Sequence, residues 1–239
     1  MFNILTENII RYKRDDGTVE TASLPQVYTA LMNDEVASFP ALRPHHRHAW
    51  HAFLVQLGAM AMHKADLTEP PADAHEWQRI IRALTPDFPN DEPWQLVVDD
   101  ITKPAFMQPP TSSEDKRGDY KSEVATPDEL DMLVTSKNHD LKAAVSTQGN
   151  IDDWLLSLIT LQTMEGFGGA GNYGISRMNG GLGSRPIFTL APASDDGMNV
   201  RMGQHIKRDI EALFEHRSTL VSIYPTTESG VGLLWTQSW

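Results

Sequence analysis

Three stretches of the 239-residue chain combine residue types that could do chemistry. The densest bias is glycine: eight of the 16 glycines fall between Gly166 and Gly183. Within it, Gly166-Phe167-Gly168-Gly169-Ala170-Gly171 and Gly169-Ala170-Gly171-Asn172-Tyr173-Gly174 both satisfy the G-x-G-x-x-G spacing of a dinucleotide loop. That fingerprint works only after a strand and before a helix, because the helix N-terminus must face the pyrophosphate. Here a helical pattern precedes and more glycine follows. The spacing from Gly169 to Gly174 also approaches a phosphate-binding loop, but Ile175 stands where the phosphate-reaching lysine belongs. Two readings remain: a tightly turned connector, or backbone that approaches a bulky partner such as a nucleic-acid groove.

The second stretch is His45-His46-Arg47-His48 with His51. His48 and His51 are three apart and could share a helix face as a metal pair, yet no H-E-x-x-H can be drawn. The expectation is a polar helix start and no metal. The third is Lys137-Asn138-His139-Asp140-Leu141-Lys142. Lys137 and Lys142 could meet phosphates while Asn138 and His139 hydrogen-bond base edges, and a solvated loop is the plain alternative.

Composition narrows the partners. With 20 Lys+Arg against 32 Asp+Glu the net charge is −12, which argues against indiscriminate coating of nucleic acid. Hydrophobic residues make up 40% of the chain, enough for a sizeable core, and no apolar run approaches the ~18 residues of a membrane span. Zero cysteines exclude disulfides and thiolate chemistry. No secretory signal is apparent at the start, and the expected location is the cytoplasm.

The elements that must position these stretches are mixed. Ile9 to Tyr12 and Thr18 to Thr21, around Asp15-Asp16-Gly17, predict a β-hairpin. Ser23 with Pro25 predicts a helix start. Trp50, Phe53, Leu54, Leu57 and Ala61 predict a helix over 48–63, and Trp77, Ile80, Ile81 and Leu84 another. Residues 111–125 read as an exposed loop. Thr126-Pro127-Asp128-Glu129 reads as a helix start running through Leu133. Ile151 to Ile159 predict a helix capped by Asn150, and Ile206, Ile210, Leu213 and Phe214 a last helix. Pro186 to Leu190, Val221 to Tyr224 and Val231 to Trp235 read as strands. The expected class is α+β: an N-terminal hairpin, several packed amphipathic helices, short strands and a glycine-rich loop, in one domain over 1–239.

The order of several segments resembles one family. Phe2-Asn-Ile-Leu-Thr-Glu-Asn-Ile-Ile-Arg11, Asp16-Gly17, Ser23-Leu-Pro-Gln-Val-Tyr28, Leu54-Val-Gln-Leu-Gly58, Pro104-Ala-Phe-Met-Gln108 and Gly166-Phe-Gly-Gly169 follow one another as in the large subunit of the type I-E CRISPR surveillance complex Cascade, the CasA family. The likeness runs from Met1 to about Trp235 and covers the N-terminal part of a usual member. It implies a non-enzymatic subunit without cofactor that reads the protospacer-adjacent motif of double-stranded target DNA and helps open the duplex. Implied partners are the backbone subunits, the guide RNA and a recruited helicase-nuclease. The glycine loop maps onto Gly166, Phe167, Gly168, Gly169, Gly171 and Asn172, lying against the motif from the minor-groove side. Side-chain-free backbone suits a groove about 6 Å wide. A second DNA and guide-end loop maps to 135–148, with Lys137, Asn138, His139 and Lys142. Family members also use a lysine finger, a glutamine wedge and a C-terminal helical bundle that fall beyond the likeness, so the expectation is a domain whose remaining parts lie elsewhere. The rival classes are a small phosphate- or nucleotide-binding enzyme using the glycine loop, and an architectural protein–protein adaptor.

Overall fold

The computed structural model describes residues 2–120, 123–131, 146–163, 190–195, 197, 199–223 and 231–238. The hairpin forms as expected. β1 (Ile10–Lys13) pairs antiparallel with β2 (Val19–Ala22) in the register Ile10 to Ala22 and Lys13 to Val19. Gly17 turns the chain at φ +88°, a conformation that costs glycine nothing. Ile10, Tyr12 and Ala22 point inward while Lys13 and Val19 stay in solvent.

α1 (Leu24–Met32) starts where Ser23 N–H donates to the Gln26 side chain at 2.8 Å, with Pro25 in the first turn. α2 (Arg47–Lys64) is the central helix, and α3 (Ala74–Arg82), α4 (Ile151–Thr163) and α5 (Met202–Glu215) all pack on it. α1 closes the layer against α3 and α5, and the hairpin packs on α1 and α4. α3 is capped by Asp73, whose carboxylate accepts from the His75 and Glu76 amides. Gly203 allows α5 to approach α1, because a Cβ there would collide with the Leu31 carbonyl oxygen. The buried side chains of the hairpin and of α1 through α5 form one cluster, so the class is α+β and mostly helical.

Three expectations are corrected. Val221 to Ile223 belong to a short helix, α6 (Arg217–Ile223), since the chain continues from α5 with the Leu220 amide bonding the His216 carbonyl. Their β-branched residues had suggested a strand, but that preference measures fit to a sheet, and none lies beside them among the described residues. Val231 to Trp235 is not a strand either. It ends in a single 3-10 turn, Leu234–Thr236, that inserts Trp235 into an aromatic cluster. The helix expected through Leu133 is one 3-10 turn, Pro127–Glu129, within the described part. Glu129 reaches back one residue further than a capping box requires and accepts from the Ala125 amide. The expected strand at Pro186 to Leu190 lies, apart from Leu190, outside the described residues.

Candidate nucleic-acid interface

Gly166, Phe167, Gly168, Gly169, Gly171 and Asn172, and likewise Lys137, Asn138, His139 and Lys142, lie outside the described residues. The structure gives instead the anchors from which both segments leave.

The glycine-rich segment leaves from the C-terminal end of α4. Leu155, Leu156 and Ile159 seat that helix in the core, and in its last turn the buried Gln162 amide donates to the Met107 carbonyl at 2.9 Å. Met107 belongs to a tight turn in which Ala105 and Gln108 exchange backbone bonds at 3.0 and 2.9 Å. Met107 holds φ +57°, unusual for a residue with a long side chain. Such strain persists only where the surroundings fix it, and here they do. Phe106 is fully buried edge-on to Phe53 and Trp235 with ring centroids 5.6 and 5.5 Å away, and the Gln108 side chain donates to the Leu96 carbonyl.

The 132–145 segment is held at both ends by one cluster. Arg43 pairs with Asp128, and Asp131 Oδ2 accepts from His45 and His46 Nε2 at 2.5 and 3.0 Å. Downstream, the Ser146 amide donates to the other oxygen of Asp128 at 2.6 Å. Burial pushes the Asp131 carboxyl up, but the hydrogen bonds and charge of His46 and His45 outweigh it and hold it well below the usual carboxylate range. The helix start expected at His45–His48 is thus also the anchor of the 132–145 segment. At 1.5 Å per residue the 13-residue α4 is about 20 Å long.

Beside the glycine anchor lies a cleft of about 510 Å³ whose lining includes Gln162, Gln108, Lys103, Lys116, Arg117 and Tyr120. Lys116 and Arg117 pair with Asp119 and Glu114 at 3.4 and 3.2 Å on an exposed 3-10 turn. Exposed pairs of this kind contribute little to stability.

Sequence reasoning missed a second polar cluster. It joins His51 to His205 and Asp209, which sit at i and i+4 on α5, with His48 close enough for its charge to act on both histidines. His51 Nε2 meets Asp209 Oδ2 at 2.8 Å, the two imidazoles stack at 3.9 Å, and Arg208 holds Asp209 Oδ1 at 2.8 Å. Burial, then the charge of His51, pushes His205 down to about 4. The signal available was the spacing His205-x-x-x-Asp209.

No family model, curated protein or solved structure matches this chain. Among the described residues no helix is long and apolar enough to cross a membrane.

Proposed function

We propose that this chain is the motif-reading large subunit of a Cascade-like RNA-guided surveillance complex, acting in the cytoplasm by recognition rather than catalysis. In this reading the glycine-rich segment meets the protospacer-adjacent motif of duplex DNA from the minor groove. The Lys137–Lys142 loop contacts phosphates and the guide end, and guide pairing supplies the long sequence readout.

The observation that supports it is a continuous chain of contacts through the described segments that carry the resemblance. The Leu96 amide donates to the Phe2 carbonyl and the Leu24 amide to the Ile4 carbonyl, at 3.0 and 2.8 Å. Tyr28 Oη donates to the Leu54 carbonyl at 2.7 Å, and the Phe106 amide to the Gln95 carbonyl. The last link, Gln162 to Met107, ties Pro104–Gln108 to the anchor of the glycine segment. Segments scattered over more than a hundred residues of sequence thus support one launching point.

The test is assembly. Co-expressed with Cascade backbone subunits and a guide RNA, the chain should co-purify and give the complex motif-dependent affinity for duplex DNA. The isolated chain, carrying −12, should bind duplex only weakly. In the complex, Lys137→Ala with Lys142→Ala should weaken binding evenly across sequences and lower the salt slope by about 2. Failure to assemble, or motif-independent affinity, would refute the reading.

A further inference from the structure

We propose that His51, His205 and Asp209 form a binding site for one zinc-class divalent ion that staples α5 to α2. The inference is independent of the DNA-binding reading.

One ligand atom from each of His51, His205 and Asp209 lies within 4.8 Å of the other two. Two imidazole nitrogens and one carboxylate oxygen are the donors of three-ligand zinc sites, in which water takes the fourth position. Oxygen-seeking magnesium and calcium are poorly served by two imidazoles. Bonds of 2.0–2.1 Å at a tetrahedral angle put ligand atoms roughly 3.3 Å apart. His205 Nε2 already stands 3.3 Å from Asp209 Oδ2, whereas His51 Nε2, at 2.8 Å, must open by about half an ångström and the stacked His51 and His205 rings must turn so that both nitrogens point at one ion.

The decisive feature is His205. Its side chain is 8% exposed, and its Nε2 is buried without a hydrogen-bond partner although a carboxylate lies beside it. A buried polar atom in that state is costly, and a metal bond satisfies it. In the other His-His-Asp cluster both Nε2 atoms already hydrogen-bond Asp131, and the unpartnered buried nitrogen there is His46 Nδ1, not an atom on that carboxylate. Arg208 supplies the outer support that metal-bound carboxylates usually have, while His51 and Asp209, at 22% and 25% exposure, leave the ion a path from solvent.

The consequence is mechanical. α5 is the helix that follows the glycine-rich segment in sequence, and α2 starts directly after the His45–His46 anchor, so an ion joining them would fix these two helices relative to each other.

The test uses tag-free full chain titrated with Zn²⁺ in competition with a chromophoric chelator, and with Co²⁺ followed by visible absorption. One equivalent should bind, with a four- or five-coordinate Co²⁺ spectrum and a raised melting temperature. His205→Gln should weaken binding at least about 100-fold, and Arg208→Leu about 10- to 100-fold. His45→Gln should leave binding unchanged. Should His205→Gln fail to fold, His51→Gln, at a more exposed position, is to show the same loss. No binding by the wild-type chain, or binding that survives His51→Gln or moves with His45→Gln, would overturn the site.

Discussion

The buried pair between β1 and α4 gives a prediction in which the two partners behave unequally. Asp152 is 1% exposed and its Oδ2 accepts from the Arg11 backbone amide at 3.1 Å and from Nε at 2.8 Å, while Oδ1 accepts from Nη2 at 2.8 Å. Arg11 itself is 31% exposed, and its pKa is raised chiefly by the hydrogen bond to Asp152. Arg11→Met therefore strands a buried carboxylate with one backbone donor, a loss of about 3–5 kcal/mol. Asp152→Ala leaves an Arg11 guanidinium and amide that must turn to water or Asp153 in place of the Asp152 carboxylate, at the smaller cost of lost charged hydrogen bonds on a partly exposed residue, about 1.5–3 kcal/mol. For a chain of this size the first amounts to a fall in Tm of roughly 6–20 °C. Replacing both, as Arg11→Met with Asp152→Leu, removes the stranded charge and should be more stable than Arg11→Met alone. Urea unfolding followed by tryptophan fluorescence measures all three variants at pH 7. Equal losses in the two single variants, or a double variant whose loss is the sum, would refute the reasoning.

Two further predictions concern the anchors. Asp131 has a depressed folded pKa, so its stabilisation is complete above the unfolded value of ~3.9 and is lost as pH falls through the folded one. Asp131→Asn should thus destabilise the chain at pH 7 and flatten the acid limb of a Tm-against-pH curve, an unchanged acid limb being the contrary result. Gln162→Leu leaves the buried Met107 carbonyl without this donor and should cost about 1–3 kcal/mol by urea unfolding, with a loss below about 0.5 kcal/mol counting against the anchor.

Local chemistry made much of the fold legible. Asp15-Asp16-Gly17 between β-prone runs specified the hairpin, and the 3.6-residue recurrence of Trp50, Phe53, Leu54, Leu57 and Ala61 specified α2. What misled was apolar residues buried by something other than a sheet: Trp235 fills a socket beside Trp94 and Phe106, and its indole donates to the Pro93 carbonyl across 142 residues. No local pattern carries that partner. The same holds for the site. His51 meets Asp209 across 158 residues, so a histidine that looked like part of a helix start becomes one corner of an interhelical cluster only after α5 packs on α2. Asp128 and Asp131 fall within the helix expected from Thr126 through Leu133, whereas burial against Arg43, His45 and His46 makes them the clasp that holds the ends of the 132–145 segment.

The central claim rests on the glycine-rich segment, and Gly168→Asp tests it most directly. On the proposed reading, a side chain there would occupy the space of the base edges and set a negative charge facing phosphates. Wild-type and variant complexes are titrated at fixed salt against motif-containing duplex and against a single-stranded target, with melting curves to establish that both fold. The account predicts a loss of at least tenfold on the duplex, about 1.4 kcal/mol, with single-strand pairing largely spared. Equal losses on both substrates, or no loss on either, would contradict it.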